Sequence, residues 1–377
     1  MGGIVTRRCV TMRLKRRFAR HYNMVTQRRV TMPPGRRRLG VSDGDMMQRS
    51  FLAALIVVGL AALGGGCAKS SEPGAGADAT RPLKIAVVPK ATMHIFWKSV
   101  HAGAKQAAAE LPNVSILWQG PQIEDDRTSQ IALVETFIQK RVDGIVLAPL
   151  DDKALIAPVL QAKAAGIPVV IFDSDLADPQ AYVSFVATDN FKGGQMGARR
   201  LAAVLGEKGN VILLRYQVGS ASNENREKGF IDEIARHPGI QVISSDQHAG
   251  PTVESAMAAA ETLLAKFGEG QVDGIFCPNE PVCTGMLRAL TTAGRAGKIK
   301  FVGFDASDLL LDAMKRGEIH GLIVQDPAKI GYEGVKAAVE HLRGRKVERR
   351  IDTGVTLVTP ENLADPVIDK LVHPPVE

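Results

Sequence analysis

The chain lacks the residue spacings on which most enzyme centres are built. It has no Cys-x-x-Cys pair and no histidine-rich cluster, so nothing in it stands at metal-ligand spacing. From Leu83 onward there is no Gly-x-Ser-x-Gly elbow to expose a nucleophilic serine, and no Gly-x-x-x-x-Gly-Lys-Ser/Thr loop to cradle phosphates. Cysteine is rare, with Cys9, Cys67, Cys277 and Cys283 alone. Aromatic residues are few: 12 Phe, 4 Tyr and 2 Trp in 377 residues. The apolar run from Phe51 to Leu63 is short for a membrane-spanning helix.

Basic charge is also missing from most of the chain. The formal net charge of +7 suggests a nucleic-acid partner until the charge is located. Residues 1–66 hold 13 Lys+Arg against 2 Asp+Glu, whereas the other 311 residues hold 34 against 38. The part with globular composition is therefore mildly acidic, and no nucleic-acid partner is expected for it.

The front of the chain has the pattern of a targeting segment. Met46-Met-Gln-Arg-Ser50 supplies a short charged start, Phe51–Leu63 an apolar core, and Leu63-Gly-Gly-Gly-Cys67 a run of small residues ending on a cysteine. Residues 46–67 resemble the signal segment of bacterial lipoproteins, in which such a cysteine is acylated and becomes the mature N-terminus. Gly64 stands where leucine is usual, and a simple cleaved secretory signal is the alternative. Residues 1–45, rich in arginine and without apolar periodicity, read as disordered or as a mis-assigned start, with translation beginning at Met46 or Met47. Nucleic-acid binding by this arm is the other reading. Residues 68–81, rich in Ser, Gly, Ala and Pro, read as a flexible tether.

From Leu83 onward, short apolar runs alternate with longer stretches of helical period. The runs are Ile85–Val88, Val114–Leu117, Gly144–Ala148, Val169–Phe172, Val211–Leu214, Val242–Ser244, Gly274–Phe276, Phe301–Phe304 and Leu322–Val324. Between the first two, Phe96, Val100, Ala104, Ala107 and Leu111 fall on one helical face. This alternation predicts an α/β fold of doubly wound parallel sheets. The number of units calls for two such lobes, with Val183–Asn190 crossing between them.

Sheets of this kind bind ligands beyond the carboxyl ends of their strands. Polar residues recur there: Lys90 and His94, Asp173-Ser174-Asp175, Asn279-Glu280, Asp305, and Gln325-Asp326. Each is also a common helix-cap or turn residue; together they predict a cleft. Two of the scarce rings, Phe96 and Trp97, stand at the mouth of the first strand. Arg226, in the first turn of a helix, has the planar fork suited to ligand hydroxyls or a carboxylate. Cys277 and Cys283 flank the Asn279-Glu280 turn, and both a disulfide and two free thiols are open to them.

These stretches, in their order and spacing, resemble the periplasmic sugar-binding proteins of the ribose-binding type. The likeness rests on Ile85-Ala-Val-Val88 with Phe96-Trp97, Gly166-Ile-Pro-Val-Val-Ile-Phe-Asp173, Ala187-Thr-Asp-Asn190 with Gly193-Gly194, Arg226-Glu-Lys-Gly-Phe230, Pro278-Asn279, Val302-Gly-Phe-Asp305, and Gln325 before Pro327 and Gly331. The resemblance implies a type I periplasmic binding protein fold, two lobes joined by a three-segment hinge. It implies residues 82–188 plus 326–352 as the N-terminal lobe and 189–325 plus 353–377 as the C-terminal lobe. The implied activity is capture of a monosaccharide or related polyol and its delivery to a membrane ABC permease. The implied contacts are Lys90, His94, Phe96, Trp97, Asp173, Ser174, Arg226, Gly250, Asn279, Asp305 and Gln325. Trp97 is the expected ring contact, with Phe96 serving mainly as core.

The sequence departs from that family at three places. Gly250 stands near the position of a second-lobe aromatic ring, with His248 as a substitute; Lys90 replaces a small hydroxyl residue; and Ser174 replaces an arginine. Asp173 and Asp305 favour a neutral ligand over a sugar acid or phosphate. A receptor for chemotaxis or for a sensor kinase would share all these features. A LacI-like regulator would carry a DNA-binding helix-turn-helix where the signal segment lies. The expected product is a lipid-anchored extracytoplasmic monomer, not an enzyme, without cofactor or metal.

Overall fold

The computed structural model describes residues 81–376. The expected signal segment, the lipidation site Cys67 and most of the tether lie outside the described residues. In chain order, the first part runs β1 (Leu83–Val88), α1 (Ile95–Glu110), β2 (Val114–Trp118), α2 (Arg127–Gln139), β3 (Gly144–Leu147), α3 (Ile156–Ala164), β4 (Val169–Phe172) and β5 (Ser184–Ala187). The second runs α4 (Asn190–Leu205), β6 (Gly209–Leu213), α5 (Ala221–Ile234), β7 (Ile240–Ser244), α6 (Val253–Lys266), β8 (Gly274–Phe276), α7 (Glu280–Thr292), β9 (Lys300–Phe304), α8 (Asp308–Lys315) and β10 (Gly321–Val324). The chain then returns through α9 (Pro327–Leu342), β11 (Arg350–Asp352), β12 (Thr356–Val358) and α10 (Pro366–Val372).

Two six-stranded sheets result, ordered β11-β5-β4-β3-β1-β2 and β12-β10-β9-β8-β6-β7. All neighbouring strands are parallel except β10 and β12. The order is the same in both lobes, so β1 corresponds to β6, β4 to β9, and β5 to β10. All nine apolar runs form strands. Val183–Asn190 holds more than a crossing, because Ser184–Ala187 pairs with β4 before the chain leaves the first sheet.

Strand alternation splits the core of each lobe into two layers. Ile85 and Val87 face Trp97, Val100 and α9, while Ala86 and Val88 face Val134 and Phe137 of α2. In the second sheet, Ile212 and Leu214 face α6 and α7, while Val211 and Leu213 face α4 and α5. Strands covered on both faces read as continuous apolar runs, as β3 does with Gly144-Ile-Val-Leu147.

Glycine sets the closeness of one helix pair in each lobe. A Cβ on Gly331 of α9 would stand 1.9 Å from the Val100 carbonyl oxygen of α1, and one on Gly194 of α4 would stand 1.9 Å from the Arg226 carbonyl oxygen of α5. The second contact fixes the backbone from which Arg226 projects. The chain passes between the sheets three times, at Thr188–Asp189, Gln325–Asp326 and Thr353–Val355. Thr188 and Thr353 meet there through their hydroxyls at 3.5 Å.

Candidate functional site

The carboxyl ends of both sheets face one cleft, and the lobes touch across it. His94 caps α1, its Nδ1 accepting the Phe96 amide at 3.3 Å, which leaves Nε2 to meet Glu280 Oε2 of the second lobe at 2.7 Å. Glu280 is held from behind by the hydroxyls of Thr284 and Ser307, at 2.6 and 3.2 Å. Burial alone would lower the His94 pKa; the hydrogen bond and charge of Glu280, with the charges of Glu124 and Asp305, hold it above the usual histidine value. Burial likewise pushes Glu280 up, but His94 keeps it below the ordinary carboxylate value.

A second crossing is built on Glu124, in the loop after β2. Its Oε1 accepts the Trp97 indole N–H at 2.7 Å, and its Oε2 accepts the Tyr216 hydroxyl of the opposite lobe at 2.9 Å. Gln217 donates to the Glu124 carbonyl at 2.8 Å. Burial and then the charge of Glu124 push the Tyr216 phenol well above its usual value, so it stays a donor.

Two aspartates occupy corresponding positions, Asp173 after β4 and Asp305 after β9. Both adopt left-handed backbone, with φ of 61° and 67°. Each amide still donates to the neighbouring strand, Asp173 to Val186 and Asp305 to Ile323. Residues other than glycine held in this region mark places where the surroundings impose the conformation. Each aspartate faces a buried cation. Lys90 Nζ lies 3.3 Å from Asp173 and donates to Ser220 and Ser222 of the other lobe at 3.2 and 3.1 Å. Arg226 lies 3.7 Å from Asp305 and donates to Asn190 and to the Pro278 carbonyl at 2.8 and 2.9 Å. Its guanidinium stacks over the Phe304 ring at 3.9 Å. Burial raises the Asp305 pKa against the opposing pull of Arg226 and of the 2.8 Å bond from Gln325.

These groups line a cavity whose empty space, its open mouth included, is about 330 Å³. Its walls include Lys90, His94, Phe96, Trp97, Asp173, Arg226, Asn279, Asp305 and Gln325. Asn279 does two things at once, since its Oδ1 also caps α7 by accepting the Val282 amide. Ser174 is not in the wall: it sits one layer behind, accepting the Ser222 amide at 3.1 Å. Gly250 and His248 also lie outside it. Gly250 serves the start of α6 with a φ of +80°, and His248 is exposed.

The two rings exchange the roles expected of them. Trp97 is 1% exposed and packs into the first-lobe core edge-on to Phe172, whereas the half-buried Phe96 leans on it at 88° with centroids 5.0 Å apart. Both still reach the cavity.

Glu124, Ser222, Asn223 and Pro281 complete the wall and were not singled out from the sequence. Glu124 lies six residues beyond the end of β2, whereas Asp173 and Asp305 directly follow β4 and β9. Asn223 lies three residues before Arg226, on the same helical face. Two acceptors of the wall, Asn223 Oδ1 and Gln325 Oε1, are buried without a hydrogen-bond partner in the protein. Cys277 and Cys283 are buried free thiols, the latter contacting the Cys277 and Phe304 carbonyls at 3.6 Å. Among the described residues there is no cluster of side chains able to hold a metal and no helix long and apolar enough to cross a membrane.

Two hinged α/β lobes closing on a polar cavity define a solute receptor of the type I periplasmic binding protein fold. A model of the periplasmic binding protein domain matches residues 85–346, and the chain belongs to that family of extracytoplasmic solute-binding proteins. It is 30% identical over 294 residues to the D-ribose/D-allose-binding protein of Pseudomonas aeruginosa, covering 75% of this chain and 91% of that one. Among solved structures, it resembles a carbohydrate transporter solute-binding protein from Agrobacterium radiobacter in complex with D-arabinose. The TM-score is 0.73 at 33% identity, over 78% of this chain and 99% of that one. An ABC transporter solute-binding protein from Agrobacterium vitis with bound D-fucose is similar at a TM-score of 0.74 and 34% identity, over 77% and 100%.

Proposed function

We propose that this chain captures a neutral monosaccharide or polyol between its lobes and delivers it to a membrane ABC permease. The observation that carries the reading is the pair of buried, unpartnered acceptors, Asn223 Oδ1 and Gln325 Oε1, one in the wall beside Arg226 and one beside Asp305. An unsatisfied buried acceptor costs roughly 1–3 kcal/mol. Hydroxyl donors from a sugar would remove that cost. Both cavity cations already face carboxylates, Lys90 with Asp173 and Arg226 with Asp305, which favours an uncharged ligand over a sugar acid or phosphate. The groups present bind rather than transform: no nucleophile stands beside a free general base in the wall. On this reading the protein is a non-enzymatic, monomeric receptor, anchored to the membrane through lipid on Cys67.

Calorimetry of the purified protein against D-ribose, D-allose, D-arabinose, D-fucose and xylitol tests the ligand class, with the corresponding sugar acids and phosphates as the contrast. Binding confined to the anionic members would reject the neutral-ligand reading. Mass spectrometry of the protein from its native membrane tests the anchor; an unmodified Cys67, or any peptide from residues 1–45 in the mature product, would reject it.

A further inference from the structure

A larger groove adjoins the inner cavity. Its empty space, the solvent-open mouth included, is about 1,400 Å³, and it shares four wall residues with the cavity: His94, Phe96, Asp305 and Gln325. The two differ in chemistry. The inner wall is made mostly of charged and amide side chains, with the two rings. The groove adds Ile95 at the start of α1, Leu309 of α8 and Val376 beyond α10, which are 42%, 42% and 51% exposed, to a border that also carries Glu280, Arg288, Asp308 and His373. Three of the nine large apolar side chains left exposed among the described residues thus gather around one groove, next to the polar cavity. Scattered exposed apolar residues need no explanation, but a cluster beside a ligand cavity does.

Given the reading of the inner cavity as a sugar site, we infer that the groove is a second compartment of the same site and takes an apolar aglycone, so that the preferred ligand is a neutral glycoside. The sugar ring occupies the inner cavity, among its charged and amide side chains. The aryl or alkyl substituent leaves along the shared edge and covers the exposed apolar side chains. Removing apolar surface from water stabilises the complex. An uncharged substituent suits the edge, where His94 and Glu280 already satisfy one another at 2.7 Å.

The test is calorimetry on the full mature protein with D-arabinose, D-fucose and D-allose, and with the methyl and phenyl glycosides of each. For at least one of these sugars, the phenyl glycoside is expected to bind about tenfold or more tightly than the methyl glycoside, the gain from burying one ring. Leu309→Asp, and independently Val376→Asp, should erase that gain while leaving the affinity for the parent sugar unchanged. Thermal melts of both variants exclude misfolding. Binding of a parent sugar with rejection of its glycosides would overturn this inference and leave the sugar-receptor reading standing. So would a gain that survives both variants, which would leave the groove to a protein partner or to a second copy of the chain. Binding of none of the sugars and none of the glycosides would overturn both readings.

Discussion

His94 Nε2 of the first lobe stands 2.7 Å from Glu280 Oε2 of the second, so a titratable pair closes the cleft. The charged groups around the imidazole, Glu280, Glu124 and Asp305, all favour its protonated form. Because the His94 pKa is raised above its ordinary 6.5, the contribution of this pair is complete below that value and is lost as pH climbs through the raised one. Glu280 is lowered from 4.5, so its share is present above that value and is lost only as pH falls through the lowered one. Ligand affinity is therefore expected to weaken as the medium turns alkaline. The fall should be about fivefold, the effect of a partly exposed ion pair worth ~1 kcal/mol. Calorimetry from pH 5 to pH 9 measures it, and His94→Gln should flatten the profile. A wild-type profile as flat as that of the variant would remove the pair from the closing mechanism.

Arg226 carries the heaviest load in the second lobe, with Asn190, Pro278, Asp305 and the Phe304 ring all engaged by one guanidinium. Arg226→Ala strips these partners and leaves Asp305 buried beside Gln325 without its cation. A loss of roughly 2–5 kcal/mol in binding is expected, about 30-fold to several thousandfold. Lys336→Ala, on the exposed face of α9, is the control and should bind as the parent does. Near-parental affinity in Arg226→Ala would show that the ligand does not use this wall.

Gly194→Ala places a Cβ where the Arg226 carbonyl oxygen now lies, 1.9 Å away. The helices must separate, at a cost of about 1–3 kcal/mol. Thermal denaturation should show a lower midpoint. Affinity should fall as well, since α5 carries Arg226 and Asn223 away from the cavity. A destabilised variant with parental affinity would mean that the helix crossing serves the fold alone.

The buried thiols of Cys277 and Cys283 should resist oxidation in an oxidising compartment. With Cys9 and Cys67 replaced by serine, thiol titration is expected to find none accessible in the native protein and two after unfolding. A count of zero after unfolding would indicate a disulfide instead of the free thiols seen here.

The long buried strands were legible because parallel strands covered on both faces leave unbroken apolar runs. β11 and β12 were not. Arg350-Ile-Asp352 and Thr356-Leu-Val358 are edge strands of three residues each, too short to show a period, and their pairing follows from the return of the chain through the hinge. In the cleft, Asp173 and Asp305 stood out because each ends an apolar run. Glu124 lies six residues beyond Trp118, in a polar loop where nothing local distinguishes it from Asp125 and Asp126. The exchange between Phe96 and Trp97 depends on the depth of α1 against Phe172, which adjacent positions in a sequence do not reveal.

The bond from Trp97 to Glu124, the same carboxylate that receives Tyr216 from across the cleft, gives the chain an optical property. Only one other tryptophan exists, Trp118, stacked on His101 within the first lobe at 4.4 Å. When the lobes part, Glu124 loses its distant partner and water reaches the indole of Trp97, while the surroundings of Trp118 stay as they were. Intrinsic fluorescence should therefore shift to longer wavelength on opening and back on closing, so that stopped-flow mixing can time each capture without an attached dye.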